Sequence, residues 1–336
     1  KEHLPVVMHY EADRMGNLVL TDDTVRPELQ VVLEERRMRI DNDPSARLGE
    51  VVQATLYQHH PYRIPVIGWR PEIEGLKRED AITFYDRFYT PNNAILVVAG
   101  DVTAEVVRRL ADATYGKVAR RAAPGARQRP VEPEPIAERS VRMRDPRVQQ
   151  PTLRRYYSMP SYRTAKPGEA EAIDILAELL GGGSTSRLYR ELVIEKQVAS
   201  SVSSWYQGTS YDYSTLGIYV VPRPGVTLEA LGRALDEALQ RVVETPPEAA
   251  EIERVKNRLI ADLIHSQDSQ STLARIYGTA LATGSTVEDI SEWPRRVMAV
   301  PADQVMSVAQ AYVRPERAVT GYLERTTDAQ AAQGRS

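Results

Sequence analysis

In the first 115 residues only one segment reads as a buried strand: Ala94-Ile95-Leu96-Val97-Val98-Ala99, closed by Gly100-Asp101. Everything around it reads as helix or loop. Val7, Met8, Glu11 and Met15 fall at helical spacing, and Gly16-Asn17 ends that helix. A second helix starts near Thr24, with Pro27 in its first turns, and runs through VVLEERRMRI; a third starts at Pro44-Ser45 and reaches about Gln58. Residues 61–76 hold three prolines and two glycines and read as a loop. Residues 77–90 read as a helix, and Thr103 caps another that ends near Tyr115. One strand cannot form a sheet. The first half therefore needs strand partners from elsewhere, and this reading expects them upstream of residue 1.

Residues 116–140 change character, with prolines, glycines and arginines in place of periodic apolar positions, as a linker would. The grammar then returns. RRYYSMP reads as a strand, 168–180 as a helix, and 186–196 as a second helix after a glycine run. Residues 198–206 and 211–221 alternate like paired strands. Helices follow at 227–243, 248–265, 269–283 and near 302–312, before a last strand, AVTGYLE, at 318–324. The expected organisation is a first domain at 1–118, a linker at 119–140, a second domain at 141–326 and a polar tail at 327–336. The class is α+β, with two copies of one unit.

Composition removes several function classes. With 42 % apolar and 26 % charged residues, the 336-residue chain is neither disordered nor fibrous. Its net charge of −3 offers no sequence-wide basic footprint, so no nucleic-acid partner is expected. No apolar run is long enough to span a membrane as a helix. The absence of cysteine excludes disulfides, thiolate zinc sites and thiol nucleophiles. The chain opens Lys1-Glu2-His3-Leu4-Pro5, which is neither a signal peptide nor a start at Met. The expectation is that residues precede Lys1 in the natural protein.

The candidates for chemistry are few. The five histidines, His3, His9, His59, His60 and His265, include no pair one helical turn apart, as a helical zinc pair requires. His59 and His60 read as helix-end or loop residues. Glu28 and Glu35 are seven apart on one helix, so they share a face about 10 Å apart along its axis, while Glu34 points about 100° away. Taken alone, that pair reads as a solvated face shared with Arg36, Arg37 and Arg39. Gly181-Gly182-Gly183 lacks the lysine and preceding strand of a phosphate loop. It reads as a helix stop before Ser184-Thr185-Ser186-Arg187, whose free N–H groups can also hold a peptide carbonyl. No Gly-x-Ser-x-Gly nucleophile elbow occurs.

Five segments in order resemble the M16 family of zinc metallopeptidases, the group of pitrilysin, insulin-degrading enzyme and mitochondrial processing peptidase, and most closely its bacterial short-subunit branch. They are EADRMGNLVL (11–20), PELQVVLEERRMRIDNDPSARLGE (27–50), HPY…IGW (60–69), FYDRFYTPNNAILVVAGDV (84–102) and LGGGSTSRLYRELVIEKQVASSV (180–202). The resemblance implies two related domains, each an antiparallel sheet covered by helices, with the first truncated at its N-terminus. It implies zinc held by two histidines of a His-x-x-Glu-His helix and by a glutamate on a later helix. That glutamate falls on Glu35, and a supporting glutamate falls on Glu28. Gly181, Gly182, Gly183 and Arg187 fall where peptide substrate is expected to bind.

The His-x-x-Glu-His motif is missing from the sequence. The resemblance places it upstream of Lys1, so Zn²⁺ is expected in the intact protein and not in this chain, which alone should be inactive. The implied activity is endopeptidase cleavage of extended or unfolded peptides by zinc-activated water. The implied partner is a second copy or a sister M16 subunit, and the implied compartment is the periplasm, with the cytoplasm as the other possibility. The competing reading is a non-catalytic partner subunit that binds peptide or stabilises an assembly.

Overall fold

The computed structural model describes residues 2–326; the predicted polar tail at 327–336 lies outside the described residues. Contacts divide the chain into two compact units, one gathering Lys1–Arg39, Val66–Arg129 and Ser266–Thr279, the other Ile40–Pro65, Pro130–His265 and Ala280–Ser336.

The first unit holds α1 (Leu4–Asn17), α2 (Asp22–Arg36), α4 (Arg70–Gly75), α5 (Arg78–Phe88), α6 (Ala104–Ala113) and most of α10 (Gln270–Ala282); the intervening helix, α3 (Pro44–Leu56), belongs to the second unit. Thr103 caps α6 by accepting the Val106 N–H, as expected. α4 lies inside the segment read as a loop. It begins Arg70-Pro71, where proline suits the first turn, and is only six residues long. Polar clasps hold the helices. The Tyr85 hydroxyl on α5 lies 2.8 Å from the Met15 carbonyl and accepts the Leu18 N–H at 3.1 Å. The Arg121 guanidinium stacks 4.3 Å over the Tyr85 ring and donates to the Gly16 carbonyl. Buried Arg36 donates to the Gly68 carbonyl at 2.8 Å.

The strand expected at 94–99 is not formed. The segment runs extended with no ladder partner among the described residues, and Ile95 and Leu96 stay 51 % and 45 % exposed. Its apolar, β-branched composition favours an extended backbone, but a strand exists only against a neighbour.

The second unit is built on a five-stranded sheet of β1 (Arg139–Arg144), β2 (Thr152–Pro160), β3 (Ala199–Tyr206), β4 (Tyr213–Pro222) and β5 (Ala318–Glu324), in the order β1-β5-β2-β4-β3. The pairs β5-β2, β2-β4 and β4-β3 are antiparallel; β1 runs parallel to β5. So the sheet is mixed at one edge rather than antiparallel throughout. β1 went unrecognised because RSVRMR sits in the linker composition. Arg142 and Arg144 lie on its exposed face, while Arg139 shares the opposite face with Val141 and Met143; charged residues suit an edge strand that must not pair further.

Period-2 alternation sends Leu153, Tyr157 and Met159 of β2 and Leu216, Ile218 and Val220 of β4 to one face. There they pack under α7 (Glu169–Gly181), α8 (Leu228–Glu244), α11 (Val287–Ala299) and α12 (Ala302–Tyr312) in one continuous core. α11 was not foreseen; Pro294 inside it obscures the helical pattern, which a Thr286/Asp289 capping box nonetheless starts. α9 (Ala249–Ser266) completes the helices of this unit, and both it and α10 form close to where the periodicity puts them.

The opposite face takes α3. Leu48, Val52 and Leu56 pack on Val319 and Leu323 of β5. A Cβ on Gly321 would come 2.8 Å from Val52 Cγ2, so only glycine lets helix and strand approach this closely. The end of α3 is fastened by the segment read as linker: Arg139 donates to the Thr55 and Leu56 carbonyls at 2.8 and 3.2 Å.

Candidate functional site

Glu28 and Glu35 lie on α2, as expected. The helix starts cleanly because Thr21 and Thr24 cap it reciprocally. Arg36 is buried and fixes the helix's inner face, so the adjacent carboxylates are turned outward. Glu28 is exposed. The Glu35 side chain is 38 % exposed, with an ion pair to Arg39 at 3.0 Å, and Glu34 pairs separately with Arg37 at 2.8 Å. Directly after Glu35 and Arg36 the helix widens into a π turn, Arg37–Asp41. Such turns often mark functional positions, and nothing in the residue pattern announces this one. Among the described residues, no group of three His, Cys, Asp or Glu side chains is placed to hold a metal ion. Glu35 is thus one accessible carboxylate, one donor of the several a zinc centre needs.

The glycine run sits in the second unit. α7 ends at buried Gly181, whose hypothetical Cβ would meet the Ser204 backbone nitrogen of β3 at 2.4 Å. Glycine there lets the helix end lie directly on the strand. Gly183 has a φ of +130°, a conformation suited to glycine. Ser186 then donates its hydroxyl to the Gly183 carbonyl at 2.6 Å and closes the turn. The helix expected at 186–196 forms as a π turn, Tyr189–Glu195.

Arg187 is engaged within the protein. It donates to both Glu251 oxygens at 3.1 and 2.7 Å, and to the Thr245 and Pro246 carbonyls at 2.8 and 3.2 Å. Burial pushes the Glu251 carboxyl up, but the Arg187 hydrogen bonds and charge outweigh it and hold Glu251 below its ordinary range. A guanidinium so committed fastens the α8–α9 connection, and a substrate would have to displace Glu251 to use it.

Two polar clusters were not legible as such in the sequence. His60, expected at a helix end or loop, lies in a loop after α3 but is fully buried. Its Nε2 lies 3.2 Å from Asp212, its Nδ1 accepts the Tyr62 N–H at 3.3 Å, and the Tyr62 and Tyr213 rings meet it edge-on. Glu132 accepts the backbone N–H groups of Gln58, His59 and His60. These contacts join residues far apart in sequence, so no local spacing reveals them. The second cluster, around Asp174, sits where Glu171, Asp174 and Glu178, three to four residues apart, form an acidic stripe along the otherwise apolar α7.

The family profile described as the peptidase M16 inactive domain matches residues 75–259. Over 316 residues the chain is 28 % identical to the zinc protease PqqE of Helicobacter pylori, covering 93 % of this chain and 70 % of that protein. It is 28 % identical over 315 residues to an uncharacterized zinc protease of Mycobacterium tuberculosis, covering 91 % of this chain and 69 % of the relative. A solved structure of a protease from Helicobacter pylori superposes with a TM-score of 0.85 at 27 % identity, covering 96 % of this chain and 77 % of that one.

Proposed function

The chain belongs to the M16 peptidase family, and on that premise we propose that it is the part of a zinc endopeptidase subunit that carries one metal-ligand position, Glu35, together with the non-catalytic second domain. The observation that carries this reading is the state of Glu35. It is an accessible carboxylate on a helix fixed from behind by buried Arg36, and its one ion pair is with Arg39 on the surface. Surface pairs of this kind are worth at most about 1 kcal/mol, so exchanging Arg39 for a metal costs little. Glu28, two turns earlier on the same face, is placed to support the ligand or its water.

The chain's own residues do not fit a complete zinc centre, because among the described residues no group of three His, Cys, Asp or Glu side chains is placed to hold a metal ion. No catalytic step is therefore assigned to them. The remaining donors belong to a His-x-x-Glu-His segment, which this reading places outside the 336 residues. Its substrates are extended or unfolded peptides, and it works with a second copy or a sister subunit. No helix of the described residues is long and apolar enough to cross a membrane.

Peptide sequencing of the native polypeptide from its source, paired with cleavage assays on an unfolded peptide, tests this. The reading expects a His-x-x-Glu-His segment in the native chain, activity in that chain, and none in residues 1–336 alone. A native polypeptide without the motif would make the protein a binding or partner subunit instead.

A further inference from the structure

α11 is tied to α7 by two side-chain links. Arg296 donates to Glu171 at 2.6 Å. The second link is a relay: Trp293 Nε1 donates to the Tyr162 oxygen at 2.5 Å, and the Tyr162 hydroxyl donates to the Asp174 carboxyl. Tyr162 is itself fixed at a third element, the β3–β4 loop. Its N–H donates to the Gly208 carbonyl at 3.0 Å, and a Cβ on Gly208 would press against its ring at 2.8 Å.

Among the described residues no cation answers Asp174. Its neighbours on α7, Glu171 and Glu178, each have their own guanidinium, Arg296 at 2.6 Å and Arg258 at 3.5 Å. From β3, Tyr206 brings a neutral phenol whose hydroxyl is already given to the Pro160 carbonyl. From α12, Tyr312 donates to Glu169 rather than to Asp174. Among the described residues Asp174 makes no ion pair, and the charges near it are acidic or already paired.

We propose that Asp174, Tyr162 and Trp293 form a proton-operated latch that fastens α11 to α7 and to the β3–β4 loop: the Tyr162 bond alone favours a carboxylate, but enclosing that charge beside Glu171 and Glu178 without a cation costs more, so the junction is tight when Asp174 is a neutral acid and eased when it ionises. The geometry is an uncompensated carboxyl at the junction of three elements, receiving a directional donor chain. The electrostatics agree. Desolvation pushes the Asp174 carboxyl up to about 7; hydrogen bonds from Tyr162 and Trp293 offset part of this, and Glu171 and Glu178 add to it. The Tyr162 hydroxyl is pushed well above its ordinary range, chiefly by burial, so it stays a donor throughout. An acid raised in the folded state favours the packed form at low pH and opposes it as pH rises through its folded value.

The test uses the full chain with Trp69→Phe and Trp205→Phe, which leaves Trp293 as the single tryptophan of the three. Its emission and quenching are followed from about pH 5.5 to about pH 8.5, a window that brackets the folded value of Asp174 and excludes ordinary aspartates. The latch predicts one transition with a midpoint near 7, lost in Asp174→Asn, and faster amide exchange in Val287–Ala299 above the midpoint after correction for intrinsic rates. Should Asp174→Asn fail to fold, Tyr162→Phe removes a bond that favours the carboxylate, so the midpoint must move upward. A pH-independent Trp293 signal, a transition that survives Asp174→Asn, or an unmoved midpoint in Tyr162→Phe would overturn the proposal.

Discussion

The two units keep their helices in place by different means. In the second, a sheet supplies the floor: Leu153, Tyr157, Leu216 and Ile218 lie under Ile173, Leu176, Leu231 and Leu235 with almost no exposure. In the first, the buried apolar residues are Met8, Ala12, Ile73 and Tyr85, among the described residues, for α1, α2, α4, α5, α6 and most of α10. Val7, Tyr10, Val31 and Phe84 are more than half exposed. A fully buried leucine contributes roughly 1.5–3 kcal/mol, so four such residues cannot offset the ordering of a unit this size. What remains is polar: the Tyr85 hydroxyl, the Arg121 stack and the Arg36 bond to Gly68. The contrast teaches that helices whose apolar faces find little to bury against depend on polar clasps, however well they are capped. It also explains why an apolar extended segment at 94–99 lies unpaired in the first unit while AVTGYLE at 318–324, of similar character, is central in the second.

Mutations can break this contrast. The largest effect is expected from Leu176→Ala, where removing a fully buried side chain should cost about 3–4 kcal/mol in urea unfolding of the second unit. Leu96→Ala, at an apolar site of the first unit, should change stability by less than about 0.5 kcal/mol. Equal losses at the two positions would mean that the first unit has a core after all. Next comes Tyr85→Phe. It removes one hydroxyl and should cost about 1–2 kcal/mol, more than an exposed apolar truncation in the same unit, read as faster amide exchange in α1 and α5.

A pH effect sharpens the comparison from the other side. Side-chain hydrogen bonds from Arg147, at 2.9 and 2.7 Å, hold the Asp145 carboxyl down to about 2, below the unfolded value near 3.8. A carboxyl lowered in the folded state contributes stability that is present above the unfolded value and lost as pH falls through the folded one. The second unit should therefore weaken between about pH 4 and about pH 2, and Asp145→Asn should flatten that limb of the unfolding curve. The smallest effect belongs to Glu34→Gln, which breaks the exposed pair with Arg37 and should alter stability by at most about 0.5 kcal/mol.

Much of the second unit was legible because its elements bury one face against a neighbour that is present. Period-2 runs in β3 and β4, the apolar run of β5, and 3.6-period runs in α7, α8 and α12 fall within a residue or two of their observed bounds. β1 and α11 were missed where charge or proline masks the period. In the first unit the longer helices were legible, but the six-residue α4 fell in a segment read as a loop, and AILVVA was read as a strand on composition alone, which does not supply a partner. At the candidate site, Glu28 and Glu35 were visible through helical spacing and family resemblance together. The engagement of Arg187 with Glu251, 64 residues away, and the seat of His60 against Asp212, 152 residues away, depend on tertiary contacts that no local pattern encodes.

The central claim is that Glu35 is one donor of a zinc centre whose other donors lie outside these 336 residues. It is tested most directly by the zinc content of the native polypeptide, purified without added metal, beside its Glu35→Gln variant and beside residues 1–336 alone. The account predicts stoichiometric zinc in the native polypeptide, its loss in Glu35→Gln with unchanged secondary structure, and no tightly held zinc in the 336-residue chain. Full zinc retention in Glu35→Gln, or stoichiometric zinc in the 336-residue chain, would contradict it.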